Sequence, residues 1–428
     1  VKRDSYLPAG SHGLKAVTKA KLQYNPLELD PEDICPLGVE DPQRLANYSV
    51  SDAYATYYLY MKYVHPFIFS LTTILPVNSD DCLRRGTGTL CEALLMASAL
   101  HANVFFPNKT GAGGMNKWNG HILQSESYSG GRVEALRSGI YRDDIETEFD
   151  VDPEQYQRII GRVPDVLNFV VNTVLKIKRE DIENYDEVSQ NIIKGLENLR
   201  DHPKFKATPV IIHLDVAAMY PNIILTNRLQ PIAIVDEETC AKCPMKSDKC
   251  QRRMTWTWRG EFFPASESQS NAVLRQLESE TIKGTPWYAL SVEDQAKKFK
   301  ERLTDFCRKV YQKTKITQEE ERTSIVCMKA NSFYVDTVRS FRDRRYEYKN
   351  LLKVWNKNRD QAKNQTEREH AKKMVVLYDS LQLAHKALLN SFYGYVMRTG
   401  SRWRSIEMAG IITHTGATII KQTRHIVQ

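Results

Sequence analysis

The stretch Val210-Ile-Ile-His-Leu-Asp215-Val-Ala-Ala-Met219-Tyr220-Pro221 decides how the rest of the chain is read. It follows Pro209, and Val210, Ile211, Ile212 and Leu214 form an apolar, mostly β-branched run that predicts a short buried strand. That strand would end on one carboxylate, Asp215. Ala217 and Ala218 leave space beyond it, and Met219-Tyr220-Pro221 turns the chain into the next element. A lone carboxylate at the carboxyl end of a buried strand can hold a divalent metal against phosphates. It can equally cap the following helix. These residues alone leave both readings open.

A second segment, Lys386-Ala-Leu-Leu-Asn390-Ser-Phe-Tyr393-Gly394, lies in a run of helical periodicity starting near Met374. Lys386 and Asn390 are one helical turn apart, with Tyr393 close to the same stripe. A cation and an amide on one face suit a polyphosphate tail and the sugar beside it. Arg345 and Lys349 repeat the spacing on another helical stretch, Val338 to about Asn358. A polar link near 358–365 would make the two helices an antiparallel hairpin with its cations on one side. Between Arg339 and Lys373 stand twelve Lys/Arg against five Asp/Glu, so nearly all of the chain's net charge of +8 falls on this hairpin. A solvated charged face would also explain Arg345 and Lys349 taken alone. Three segments converging on phosphate chemistry favour the functional reading.

Cys240 and Cys243 are spaced to bite one metal, and Cys250 can close a face. A fourth ligand must come from elsewhere, and by spacing alone zinc is the default. Cys35, Cys82, Cys91 and Cys307 read as ordinary thiols, and eight cysteines in 428 residues form no disulfide framework. That length predicts two or three domains. A hydrophobic content of 42% and a mean hydropathy of -0.48 fit a chain with ample core and no membrane partner. The longest apolar stretch, near 67–77, contains Ser70, Thr72 and Thr73 and is too short for a bilayer. No signal segment opens the chain, so the N-x-S/T triplets at Asn47, Asn108 and Asn364 read as chance matches.

Asp215-Val-Ala-Ala-Met-Tyr220-Pro-Asn-Ile resembles motif A of the family B DNA polymerases, and Lys386-x-x-x-Asn390-Ser-x-Tyr393-Gly394 resembles their motif B. Tyr128-Ser-Gly130-Gly131 is similar to the family's Y-x-G-G linker, where Tyr128 would stack on template DNA and the glycines admit its backbone. Tyr48-x-x-x-Asp52 resembles a proofreading exonuclease motif. Further strings, among them Phe341-Arg-Asp-Arg-Arg-Tyr346 and Tyr378–Lys386, extend the likeness along nearly the whole chain.

The resemblance implies an α+β fold, part of a right-hand architecture lacking the thumb and the rest of the palm. Residues 1–65 would be the end of a 3′–5′ exonuclease domain and 66–205 the linker and N-terminal palm. Motif A and the cysteines would occupy 206–250, a DNA-gripping insertion 251–330, the fingers 331–394, and the start of a second palm segment 395–428. The insertion contains Trp256, Trp258, Trp287 and the basic run 297–302, and aromatics interleaved with cations suit either a grip on DNA or a plain packing surface.

The implied chemistry is two-metal nucleotidyl transfer. Asp215 would ligate Mg²⁺, with the Val216 carbonyl as a further ligand. Arg345, Lys349, Lys386 and Asn390 would hold the triphosphate. Tyr220, backed by Met219, would exclude a 2′-hydroxyl, while Tyr393 and Gly394 would pack near the nascent base pair. Some family members carry a 4Fe-4S cluster on three cysteines plus a distant one, which would add Cys327 to Cys240, Cys243 and Cys250. Primer–template DNA, dNTPs, non-catalytic polymerase subunits, a sliding clamp and a replicative helicase are the implied partners, and the nucleus the implied compartment.

Asp144-Ile-Glu146 and Asp150-Val-Asp152 match the family's D-x-E and D-x-D patterns in the wrong order. The chain is therefore expected to be a piece of a longer polypeptide, inactive alone in polymerisation and proofreading. A non-catalytic polymerase-like DNA-binding scaffold is the alternative, and a zinc module the weakest one.

Overall fold

The computed structural model describes residues 13–109, 116–135, 138–245, 247, 249–282, 284–398 and 400–427. The glycine-rich piece Thr110–Gly114 lies outside them. The chain divides into two compact units, Val1–Arg132 with Ala218–Gln428, and Val133–Ala217.

The larger unit is organised on an antiparallel sheet. Its strands are β1 (Lys117–Trp118), β2 (His121–Tyr128), β3 (Ile234–Val235), β4 (Gln251–Phe262) and β5 (Ile316–Cys327), in the order β1-β2-β4-β5-β3. β4 shows why: Trp256, Trp258, Gly260 and Phe262 alternate with Thr257, Arg259 and Glu261, so every second side chain points to the core. Gln251 pairs with Cys327 and Phe262 with Ile316, a twelve-residue ladder without a slip.

The helices of this unit include α1 (Pro42–Leu59), α2 (Thr87–His101), α3 (Met219–Asn227), α4 (Val292–Tyr311), α5 (Phe333–Gln361), α6 (Gln365–Met397) and α7 (Ile406–Val427). The expected hairpin forms from α5 and α6, joined at 362–364. Asn364 caps α6 by accepting the Glu367 amide at 2.8 Å. Between the helices His385 packs 5.1 Å from both Phe341 and Tyr348, and the Tyr334 hydroxyl donates to the Phe392 carbonyl at 2.8 Å. Leu388, Leu389 and Phe392 of α6 join Trp256, Trp258, Phe262, Ile223 and Ile411 in one core. α7 lies flush on the sheet because Gly410 has no side chain, and a Cβ there would stand 2.4 Å from Trp256 Cε3.

A smaller core gathers Ile122, Phe263, Val273, Leu277, Trp287, Phe299, Leu303 and Cys307. Trp256, Trp258 and Trp287 are buried and take the packing role, since strand alternation turns Trp256 and Trp258 inward. Their indole N–H groups donate to Ser324 Oγ at 2.9 Å and Glu126 Oε1 at 2.7 Å. Part of the basic run is also engaged within the protein, Arg302 forming a fork with Glu280 at 2.7 and 2.9 Å.

The smaller unit pairs helices Pro153–Phe169 and Tyr185–Asp201 beside the antiparallel strands Thr147–Asp150 and Lys204–Ala207. Phe149 stacks on Phe205 at 5.4 Å, and Arg200 donates to Gln157 at 2.6 Å across the helices. The misplaced acidic patterns have local roles here. Asp144 pairs with Arg142 at 2.7 Å, and Asp152 accepts the Glu154 amide at 2.9 Å as a helix cap.

The strand expected at 210–214 does not form in this structure. The segment belongs to no sheet, and Val210, Ile211, Ile212 and Leu214 are 84%, 59%, 77% and 62% exposed. An apolar β-branched run becomes a strand only where a neighbour completes its hydrogen bonds. Among the described residues none pairs with it.

Candidate nucleotide site

Three sequence motifs meet in the larger unit through three tyrosines. Tyr128 closes β2, Tyr220 opens α3 and Tyr393 lies in the last turns of α6. The Tyr128 and Tyr393 hydroxyls are hydrogen-bonded at 2.5 Å, and the Tyr220 and Tyr393 rings lie 4.6 Å apart at 48°. Gly131 belongs to the same cluster, since a Cβ there would come 3.0 Å from the Tyr220 hydroxyl. Gly130 and Gly394 would meet nothing within 4 Å, so close packing within the chain is required at only one of these three glycines. Burial, above all, pushes the Tyr393 and Tyr128 phenols up, so both are uncharged at neutral pH. The cluster is a neutral aromatic wall suited to the face of a sugar or base.

The hairpin carries its cations next to this wall in sequence. Lys386, Asn390 and Tyr393 follow one stripe of α6, with Lys386 half-buried and Asn390 exposed. Arg345 lies between Phe341 and Tyr348 on the stripe of α5 that packs on α6, and Lys349 is exposed one turn on. Among the described residues Arg345 Nε is sealed from solvent and has no hydrogen-bond partner. A buried guanidinium donor left unspent is costly unless an acceptor arrives. A phosphate is one acceptor suited to a guanidinium, and Arg228 and Arg402 carry a buried Nε of the same kind.

Asp215 and Val216 fall in the smaller unit, both exposed at the end of the extended 210–214 segment. The oxygen donors there suit a hard cation such as Mg²⁺. Tyr48 and Asp52 are neighbours on α1, and the Asp52 carboxylate is the main cause that raises the Tyr48 phenol.

Cys240 sits on the helix Glu237–Lys242, and Cys243 ends that helix. Cys250 precedes β4 and Cys327 ends β5, held together by the Met328 amide donating to the Cys250 carbonyl at 2.8 Å. The Cys240 thiol is raised by burial, then by Cys327, Cys250 and Cys243, so the four thiols are neighbours. They do not close on one point: among the described residues no three acidic, histidine or cysteine groups stand close enough to hold a metal ion. An all-sulfur set nevertheless has the donor chemistry of a soft metal or a cluster.

Sequence reasoning missed α7. Its Thr413 hydroxyl donates to the Ser129 carbonyl at 2.8 Å, and Gly416 faces Met219 and Tyr220. The signal was the run of small residues Ala409, Gly410, Thr413, Gly416 and Ala417, which marks a helix face closely approached.

Comparison with known proteins bears on this geometry. The family described as DNA polymerase family B matches residues 302–428, which include the hairpin and α7. The chain carries a family B DNA polymerase domain. Along its whole length it is 53% identical to the catalytic subunit of DNA polymerase epsilon from Schizosaccharomyces pombe and 51% identical to that of Saccharomyces cerevisiae. The same-named protein of Dictyostelium discoideum is 52% identical. The chain spans about a fifth of the length of these relatives, 18–20%. The polymerase domain is mixed α and β, as the motifs implied.

Proposed function

We propose that this chain forms the nucleotide-selecting part of a replicative DNA polymerase, which joins dNTPs to a primer 3′-hydroxyl on a template. The observation that carries the reading is the meeting of Tyr128, Tyr220 and Tyr393, on the helix that also bears Lys386 and Asn390. In this reading α5 and α6 are the fingers, motif A belongs to the palm, residues 251–330 are a DNA-gripping insertion, and residues 1–65 are the end of a proofreading domain that includes Tyr48 and Asp52.

Arg345, Lys349, Lys386 and Asn390 bind the triphosphate and offset charge on the leaving pyrophosphate. Tyr220, backed by Met219, lies against the sugar and leaves no room for a 2′-hydroxyl. Tyr393 and Gly394 pack at the new base pair, and Tyr128, Gly130 and Gly131 border the template. Asp215 and the Val216 carbonyl would hold Mg²⁺, which when bound supplies Lewis-acid stabilisation of phosphoryl charge. The four cysteines would hold a 4Fe-4S cluster, with zinc as the alternative. On this reading the 428 residues alone hold one of two catalytic carboxylates and do not extend primers. DNA and dNTPs are the substrates, with other polymerase subunits, a clamp and a helicase as partners in the nucleus.

Primer extension tests the proposal. A full-length polymerase carrying this sequence should extend a primed template, and Asp215→Ala should abolish extension. Extension unaffected by Asp215→Ala and Lys386→Ala would refute it.

A further inference from the structure

Gly416 of α7 stands behind the motif A tyrosine. A Cβ there would come 3.3 Å from Met219 Cε, 3.4 Å from Tyr220 Cε1 and 3.7 Å from Met219 Sδ. The first spacing is tight for a real side chain, so the glycine lets Met219 and Tyr220 settle back against the helix. Other contacts restrain the same ring. Gly131 admits its hydroxyl, where a Cβ would sit 3.0 Å away. Tyr393 covers it at 4.6 Å and is itself tied to Tyr128.

The depth of α7 is also fixed. Gly410 seats the helix on Trp256, and Thr413 donates to the carbonyl of Ser129, the neighbour of Tyr128. Helix, linker and hairpin therefore converge on one ring by packing. A packed site of this kind responds to a single added methyl.

We propose that Gly416 is a specificity-determining position of the nucleotide site. It sets the depth of Met219 and Tyr220, and with it the clearance left for the sugar of an incoming nucleoside triphosphate. It acts as a positioning residue through those two side chains. The inference rests on the reading of Tyr220 as the group beside the sugar.

The test is single-nucleotide insertion by a full-length polymerase carrying this sequence. kcat and KM are measured separately for a dNTP and the matching rNTP, in the parent, Gly416→Ala, Met219→Ala and the double variant. Alanine is the better helix former, so Gly416→Ala is expected to fold, with its thermal unfolding measured alongside. The ratio of kcat/KM for dNTP over rNTP should shift by about three-fold or more in Gly416→Ala, of the size a methyl's worth of packing commands. In the Met219→Ala background, where the struck side chain is gone, the shift should shrink to near unity.

An unchanged ratio in Gly416→Ala, or an equal shift with and without Met219, overturns the inference. Failure of the parent to insert nucleotides would instead overturn the polymerase reading beneath it.

Discussion

Tyr128 and Tyr393, 265 positions apart in the chain, share a hydroxyl–hydroxyl hydrogen bond of 2.5 Å. The bond ties the end of a sheet strand to the helix that bears Lys386 and Asn390. Tyr128→Phe removes the bond and keeps the ring, at a cost of about 1 kcal/mol. Chemical denaturation reads that cost, and the proposed function adds a raised KM for dNTP without loss of DNA binding.

Arg345 gives a sharper prediction, because among the described residues its Nε is sealed in without an acceptor. If a phosphate supplies one, Arg345→Ala lowers kcat/KM for nucleotide insertion by about 100-fold or more. Arg345→Lys recovers little, since an ammonium lacks the planar fork. Steady-state kinetics at saturating primer–template decides it, and a parental kcat/KM in Arg345→Ala removes the residue from phosphate binding.

Gly410→Ala places a methyl against a buried indole whose own N–H is anchored on Ser324. The wall cannot yield cheaply, so overpacking costs about 1–3 kcal/mol and outweighs the better helix propensity. Equilibrium denaturation should show a lower midpoint with an unchanged slope.

His385 predicts a pH dependence of stability. Burial, first of all, lowers its pKa, and the nearby Arg344 adds to the effect, while Nδ1 bonds the Leu381 carbonyl at 2.8 Å. The unfolded chain binds a proton at the ordinary histidine value near ~6.5, where the folded chain does not. Unfolding therefore takes up protons below that value, and the His385 contribution to stability falls as pH drops through ~6.5 toward the folded pKa. In His385→Phe the loss of stability between about pH 7.5 and 5.5 should be smaller than in the parent.

The cysteine reading is settled by elemental analysis of protein purified without oxygen. Iron and acid-labile sulfide in equal amounts, about four each, mark a cluster, and zinc without sulfide marks the alternative. Cys327→Ser should reduce either content. Metal-free protein of parental stability would remove the site.

The long helices were legible because a stripe of apolar residues repeated over many turns has one low-energy solution. The hairpin accordingly forms where the periodicity places it, opening at Phe333 rather than Val338. The run at 210–214 was misread because β-branched composition marks a segment able to pair and says nothing of its neighbour. Trp256 and Trp258 left two readings open for a related reason. Whether an indole beside cations meets solvent or core depends on the parity of β4, which only its register with β5 reveals. The part of the candidate site on α7 stayed hidden because Gly416 bears no chemistry, and its meaning lies in Met219 across the gap.

The bare stretch from Val210 to Leu214 carries a practical liability. Among the described residues no strand pairs with its backbone, and its greasy, sheet-prone side chains are exposed, the template on which identical molecules stack. Concentrated solutions of these 428 residues should self-associate through it. One lysine in place of Ile211, or a peptide that adds a strand beside it, should keep them dispersed.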